Sequence, residues 1–223
     1  MPPKTSPKIV KVVLVEDHLM FREWLGQMLT REPGFVICGE ADNIQQGLQV
    51  VQQTSPDIAI VDITLRGASG LELIKDMKAH GLNVPVLVLS MHDEMLYAER
   101  VLRAGAKGYI SKSAASSTLT EAIRQVLEGK IYLGEKMTTL MLEKISNPKA
   151  LGTSSRVSLL ADRELEVFQL IGKGFNGREI AEKLHLGETT IDTYRARIKE
   201  KLRVRNAAEL CSRAAHWVQE NGG

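Results

Sequence analysis

The sequence contains only two cysteines, Cys38 and Cys211, among its 223 residues. They lie in different halves of the chain and in no metal-ligand spacing, so neither a disulfide framework nor a zinc site is predicted. No apolar run approaches the roughly 20 residues that a transmembrane helix needs, and the polar N-terminal segment lacks the apolar core of a signal peptide. We therefore expect a cytoplasmic protein with no membrane partner.

Other absences exclude further classes of protein. No G-x-G-x-x-G or G-K-[ST] loop follows the first apolar run, which argues against a dinucleotide or NTP enzyme. The net charge of +2 is too small to mark the whole chain as a polyanion binder, so evidence for nucleic-acid binding has to come from local clusters. With 43% hydrophobic and 25% charged residues, the chain has the composition of about two globular domains.

Short apolar runs alternate with helical patterns in the first part of the chain. The strands are predicted near residues 9–16, 35–40, 57–62, 86–90 and 108–111. This alternation is typical of the α/β class and predicts a doubly wound, five-stranded parallel sheet. Residues 1–8 are predicted to be a disordered tail, and residues 9–128 to form this domain.

The strand pattern stops after residue 128. Residues 129–156 resemble a linker in composition and contain one predicted helix, at 136–145. Residues 157–223 are predicted to form a second, smaller all-α domain with helices at 162–172, 178–184, 188–202 and 206–219.

Acidic residues stand at the ends of two predicted strands. Glu16 and Asp17 close the first apolar run, and Asp62 closes the third. Because the carboxyl ends of parallel strands meet at one edge of the sheet, the three carboxylates should converge there and would repel one another without a cation. Hard oxygen ligands in an incomplete shell suit Mg²⁺, which also accepts phosphate oxygens. The pattern predicts a phosphorylation site.

Two further side chains close predicted strands of the same sheet. A phosphoryl group on Asp62 would carry roughly two negative charges, and Lys112, after the fifth strand, supplies an ammonium to balance them. The hydroxyl of Ser90, after the fourth strand, could donate a hydrogen bond to a phosphoryl oxygen. A lone Asp at a strand end is more often a helix cap or a loop residue. The combination of five such groups, each at a strand end, favours the site.

These residues resemble the receiver domain of two-component response regulators over about residues 9–128. The resemblance implies the flavodoxin-like topology for the sheet. The resemblance implies that Asp62 is the phospho-acceptor and that Asp17 and Asp62 are direct Mg²⁺ ligands. It further implies that Glu16 acts through water and that the backbone carbonyl of Thr64 is another ligand.

The resemblance also implies a switch pair, Ser90 and Tyr109. Tyr109 would turn inward when Ser90 moves, changing the surface formed by the fourth helix, the fifth strand and the fifth helix; an ordinary half-buried aromatic is the alternative. Two positions depart from the family pattern, because many receivers have proline where Arg66 stands and a cis proline where Ser113 follows Lys112.

In the second domain, residues 187–202 form the most informative stretch. Between positions 195 and 205, six cations face only one acidic residue, Glu200, a concentration that suits phosphates. With the helix at 178–184 and a short turn, the stretch predicts a helix-turn-helix whose second helix enters the major groove. The predicted DNA-contacting residues are Thr189, Thr190, Asp192, Thr193, Arg195, Ala196, Arg197, Lys199 and Lys201.

The roles within this set are predicted from side-chain chemistry. Thr189 and Thr190 would offer hydroxyl and helix-end N–H groups to a phosphate. Base reading would fall to Asp192, Thr193 and Ala196, while Asp192 could instead repel phosphate or hold Arg195 in place.

Residues 162–202 resemble the LuxR-type helix-turn-helix of the NarL/FixJ response-regulator family, which often has Lys and His at the positions of Asp192 and Tyr194. The resemblance implies a transcriptional regulator that binds DNA, receives phosphate from a sensor histidine kinase and forms a phosphorylation-dependent homodimer. RNA polymerase is a further candidate partner. The last helix, around 207–217, would contribute a dimer contact or only core.

Two other functions compete with this interpretation. One is a phosphorylation-gated protein-binding adaptor that does not bind DNA. The other is a hydrolase that uses Asp62 as its nucleophile, although such enzymes usually need a carboxylate two residues later, where this chain has Thr64.

Overall fold

The computed structural model describes residues 9–66, 68–91, 94–146 and 156–221. The tail predicted at residues 1–8 and much of the predicted linker, residues 147–155, lie outside this part. The chain divides into two compact units, Met1–Met137 and Thr138–Gly223. The division falls inside a helix, so the domain limits predicted from the sequence stay a prediction.

The first unit is an α/β fold, as predicted. Its strands are β1 (Val10–Val15), β2 (Phe35–Ala41), β3 (Ile58–Val61), β4 (Thr64–Leu65), β5 (Ala68–Ser69), β6 (Val86–Ser90) and β7 (Gly108–Ser111). Five of them form a parallel sheet in the order β2-β1-β3-β6-β7. Its helices are α1 (Leu19–Arg31), α2 (Ile44–Thr54), α3 (Gly70–Ala79), α4 (Glu94–Ala104) and α5 (Ala115–Leu127).

Burial explains why the central strands are apolar throughout. Every residue of β3 and β6 is buried, as are Val12 to Val15 of β1, because helices cover both faces of a doubly wound sheet. The polar side chains that follow these strands then emerge at one edge of the sheet. The predicted site depends on this arrangement.

A small hairpin, β4 and β5, follows the acceptor strand and was not predicted from the sequence. The Gly70 N–H donates to the Ile63 carbonyl at 2.7 Å, and a Cβ on Gly70 would lie 1.9 Å from the Asp62 carbonyl oxygen. Only glycine fits there, so α3 can start directly against the acceptor residue. Arg66, where many receivers have proline, reaches Asp42 at 3.9 Å.

The second unit is helical, as predicted. After α6 (Glu135–Ser146) come a 3₁₀ turn (Arg156–Leu159), α7 (Asp162–Gly172), α8 (Gly177–Leu184), α9 (Glu188–Leu202) and α10 (Ala207–Asn221). On α10, Leu210 and Ala214 are fully buried, and the Trp217 ring lies 5.7 Å from that of Phe168. Leu210 and Ala214 are therefore core, and Trp217 is a half-buried residue that packs against Phe168. Among the described residues, no helix combines the length and apolar character needed to cross a bilayer.

Glu164 links the start of α7 to the end of α9. Its Oε2 accepts the Ala161 N–H at 2.7 Å and lies 2.6 Å from Lys201 Nζ, while its side chain is only 3% exposed. We expect Glu164→Ala to lower the free energy of unfolding by about 2–4 kcal/mol, because it removes a helix-start acceptor and a partly buried ion pair.

Urea unfolding followed by circular dichroism measures this loss. The control is Glu182→Ala, which removes an exposed pair with Arg178 at 3.2 Å and should cost less than about 1 kcal/mol. Equal losses for the two variants would contradict the role given to Glu164.

Candidate functional site

Lys112 brings two of the predicted carboxylates together. Its Nζ lies 2.6 Å from Glu16 Oε2 and 2.7 Å from Asp62 Oδ2. The side chains of Lys112, Glu16 and Asp62 are 7%, 4% and 6% exposed. Three strands, β1, β3 and β7, thus deliver one ammonium and two carboxylates to a buried point at the carboxyl edge of the sheet.

The electrostatics of this cluster leave an excess of negative charge. Burial, followed by the charge of Asp62, raises the pKa of Glu16 to about 7, although Lys112 and the His18 N–H act in the opposite direction. For Lys112, burial acts to lower the pKa, but the charges of Asp62 and Glu16 outweigh it, so the pKa lies above its ordinary value. With Glu16 ionised and Asp17 in the adjacent turn, three carboxylates face one ammonium at this edge, and a divalent cation would balance the remaining negative charge.

The turn after β1 carries a group that could hold such a cation. Ligand atoms of Glu16, Asp17 and His18 all lie within 4.8 Å of one another. The His18 N–H donates to Glu16 Oε1 at 3.1 Å and holds this carboxylate within the turn. The oxygen-rich donor set fits a hard divalent ion such as Mg²⁺.

Three residues near the site were missed by the sequence analysis: His18, Phe21 and Arg22. Lys112 Nζ lies 4.6 Å from the centre of the Phe21 ring, a cation–π distance. The Arg22 guanidinium donates to the Glu16 carbonyl, and its Nε donates to Glu40 at 3.1 Å. The sequence could have indicated these three residues, because they lie close after the acidic pair, where a helix begins. The first side chains of such a helix point back toward the end of the strand.

The predicted switch residues are both inside the fold. Ser90 and Tyr109 are fully buried, on the neighbouring strands β6 and β7. Thr64 lies two residues beyond Asp62 and pairs with Ser69 in the hairpin. The switching role of the first two residues and the ligand role of the Thr64 carbonyl stay predictions.

The helix-turn-helix consists of α8, a turn and α9. His185 ends α8 in the left-handed conformation, at a φ of 53°, and α9 begins after Gly187. Ile191, Ile198 and Leu202 are fully buried, so they fix which face of α9 is outward. That face exposes Thr189, Thr190, Asp192, Thr193, Ala196 and Arg197, with Arg195, Lys199 and Lys201 half-buried beside it.

Contacts within α9 distinguish these residues. The Thr193 hydroxyl donates to the Thr189 carbonyl at 3.0 Å. In the described part of the chain, no ion pair joins Asp192 to Arg195. The ammonium of Lys201 is held by Glu164, so this residue anchors the end of the helix.

Comparison with known proteins assigns both units. Residues 12–124 match the response regulator receiver domain, and residues 158–214 match the luxR family of bacterial regulatory proteins. The chain belongs to the LuxR-type response regulators. This family regulates transcription and is not a family of enzymes, which excludes the hydrolase and favours the DNA-binding regulator over the adaptor.

Similar proteins match along most of the chain. The oxygen regulatory protein NreC of Staphylococcus carnosus is 33% identical over 205 residues, covering 90% of this chain and 94% of NreC. The nitrate/nitrite response regulator protein homolog of Haemophilus influenzae is 30% identical over 195 residues, which cover 87% of this chain and 91% of the Haemophilus protein.

Solved structures agree with this assignment. The RcsB response regulator of Salmonella typhimurium aligns with a TM-score of 0.56 at 25% identity, covering 93% of this chain and 98% of RcsB. Another RcsB structure, bound to a promoter in the presence of the phosphomimetic BeF3−, aligns with a TM-score of 0.54 at 25% identity, covering 91% of this chain and 96% of that chain.

Proposed function

We propose that Asp62 accepts a phosphoryl group and that this event controls DNA binding by α9. The observation that carries the proposal is the position of Lys112, whose Nζ is 2.7 Å from Asp62 Oδ2 at a buried strand edge. A sensor histidine kinase or a small phosphodonor would supply the group. A transcription regulator of this family works in the cytoplasm.

In the transfer, an Asp62 oxygen forms the new bond to phosphorus while the bond to the donor atom breaks, and the donor leaves with that electron pair. Lys112 moves from bridging two carboxylates to pairing with the phosphoryl oxygens. Asp17 and Asp62 would hold Mg²⁺ directly, with Glu16 acting through water and the Thr64 carbonyl as a further ligand. The ion, when bound, neutralises charge on the transferring group.

The same charge would bias the switch pair. The Ser90 hydroxyl donates to a phosphoryl oxygen and draws the following loop inward, while Tyr109 occupies the space that opens. The changed surface favours a homodimer, to which the exposed side of α10 contributes. A solved structure of RcsB contains dimers bound to DNA, which supports a dimeric DNA-bound form of this protein. RNA polymerase would be the next partner at a promoter.

On DNA, the proposed roles follow exposure and chemistry. Thr189 and Thr190, at the start of α9, donate to a phosphate, because the N–H groups of a helix start favour anions. Asp192, Thr193 and Ala196 face the base edges.

The cations have separate roles. Arg195, Arg197 and Lys199 bind phosphates, while Lys201 contributes by keeping the end of α9 in place.

A single experiment tests the link between the two units. The protein is incubated with acetyl phosphate and Mg²⁺, its intact mass is measured, and its retention on fragmented genomic DNA is compared with that of untreated protein. We expect one phosphoryl adduct and stronger selective retention. Chelating the divalent ions with EDTA before the donor is added should remove both, since the carboxylates then repel the incoming phosphoryl group.

Adding excess Mg²⁺ back is the control for EDTA and should restore both signals. An adduct that forms equally well in EDTA would contradict the metal assignment. An adduct without any change in DNA retention would contradict the proposed control of DNA binding.

A further inference from the structure

Residues 130–134, here called the connector, extend the sheet beyond its edge strand. The Tyr132 N–H donates to the Lys107 carbonyl and the Tyr109 N–H donates to the Tyr132 carbonyl, both at 2.9 Å. Tyr132 thereby forms a parallel bridge with Gly108 of β7, which is the last strand in the sheet order. The backbone leading out of the first unit is thus bonded to the strand that carries Tyr109.

The end of the connector is held by a second element. Glu94, the first residue of α4, accepts the Gly134 N–H through Oε1 at 2.6 Å. Helix α6 begins at the next residue, Glu135. The carboxylate therefore stands at the start of α6, where the first N–H groups have no partner within the helix and a negative charge is stabilising.

Two glycines make this close approach feasible. A Cβ on Gly134 would lie 2.4 Å from Glu94 Oε2, and a Cβ on Gly108 would lie 2.9 Å from the Tyr132 carbonyl oxygen and 2.8 Å from a Leu87 methyl carbon. At Gly108 the close atom is a backbone oxygen, so a side chain there would displace the connector, whereas at Gly134 the close atom is the end of the Glu94 side chain, which would have to move away. Glycine at 108 therefore lets the connector lie against β7, and glycine at 134 lets the Glu94 carboxylate lie close to the backbone of the connector.

The two contacts reach the two switch residues. Glu94 follows Ser90 by four positions, and the Tyr132 carbonyl is bonded to the amide of Tyr109 itself. An inward movement of Ser90 would therefore act on the start of α4, and with it on the carboxylate that accepts the Gly134 N–H. A displacement of about 1 Å would lengthen this hydrogen bond, now 2.6 Å, beyond hydrogen-bond range.

We propose that the connector is a latch that responds to the acidic site. In the unphosphorylated protein, Glu94 and β7 hold residues 130–134 against the sheet. A phosphoryl group on Asp62 draws Ser90 and the start of α4 inward, breaks the contact between Glu94 and Gly134, and frees the start of α6. This inference rests on the proposed function and adds Glu94 as the positioning residue through which the phosphorylation state reaches the interdomain segment.

Hydrogen–deuterium exchange of the full chain tests the latch. In unphosphorylated protein, we expect Glu94→Ala to increase amide exchange about tenfold in a peptide covering 131–137, the effect of losing one hydrogen bond to a charged group. Glu94→Gln keeps a hydrogen-bond acceptor without the charge, so its exchange rate should lie between those of the native chain and Glu94→Ala. The control, Glu99→Ala, removes another α4 carboxylate, which pairs with Arg103 at 2.5 Å, and should match the native chain.

The same samples are then treated with acetyl phosphate and Mg²⁺, and their intact mass is recorded. We expect the adduct to raise amide exchange of the connector in the native chain and in Glu99→Ala. In Glu94→Ala we expect the same amount of adduct but no further increase in exchange. Native exchange that stays unchanged while the adduct forms would overturn the latch and leave the proposed function standing. If no adduct forms in any sample, the proposed function fails and the latch fails with it.

Discussion

Replacing Asp62 with asparagine should abolish the phosphoryl adduct, reducing it from a single main species to less than about 1% of the protein, because an amide oxygen is not a nucleophile toward phosphorus. The substitution keeps nearly the same shape and can still accept a hydrogen bond from Lys112, which lies 2.7 Å away. Intact-protein mass after incubation with acetyl phosphate and Mg²⁺ measures the result.

Asp57 offers a matched control beside the same strand. It precedes β3 at the opposite end, where its carboxylate accepts the Lys11 N–H at 2.8 Å. Asp57→Asn should take up phosphate as the native chain does. An adduct that persists in Asp62→Asn, located by peptide mapping at another residue, would show that the acceptor is elsewhere.

The second large effect is expected on α9. Replacing Arg197 and Lys199 together with alanine should weaken DNA binding roughly a hundredfold, about 1.4 kcal/mol for each lost cation. The slope of log affinity against log salt should also become smaller by about 1.8, since two phosphate contacts are lost. Fluorescence anisotropy with a retained genomic fragment, measured at several salt concentrations, gives both values.

Lys173→Ala removes an exposed cation at the end of α7, outside the helix-turn-helix, and serves as the control for nonspecific charge effects. Its affinity and salt slope should stay close to those of the native chain. A loss in the double variant that is matched by Lys173→Ala would mean that overall charge, and not α9, determines binding.

Much of the fold was predictable because it depends on neighbouring residues. The apolar runs of β1 and β3 are buried on both faces, and a continuous apolar run can be recognised from a few consecutive residues. The bounds of α7 and α9 are those predicted, and glycines mark the turn between α7 and α8 at Gly174 and the start of α9 at Gly187. The two-residue strands β4 and β5 were missed because they are too short to show a period.

The sequence predicted which residues form the candidate site but not which of them contact one another. Strand ends place Asp62 and Lys112 at one edge, and the alternation of strands and helices was enough to infer this. The contacts depend on which strands are neighbours and on how α1 leaves β1. These two features place Lys112 between Glu16 and Asp62, with its ammonium over the Phe21 ring.

The sequence by itself therefore determined the family, the two kinds of unit, the acceptor strand and the helix that carries the basic residues. Only the tertiary structure decided that Lys201 pairs with Glu164, 37 residues away, and that Glu94 holds Gly134, 40 residues away. The physical reason is the distance along the chain over which each kind of interaction acts. Periodicity and capping act within a few residues, whereas the partner of a charged side chain is chosen by whichever distant segment the packed core brings within hydrogen-bond distance.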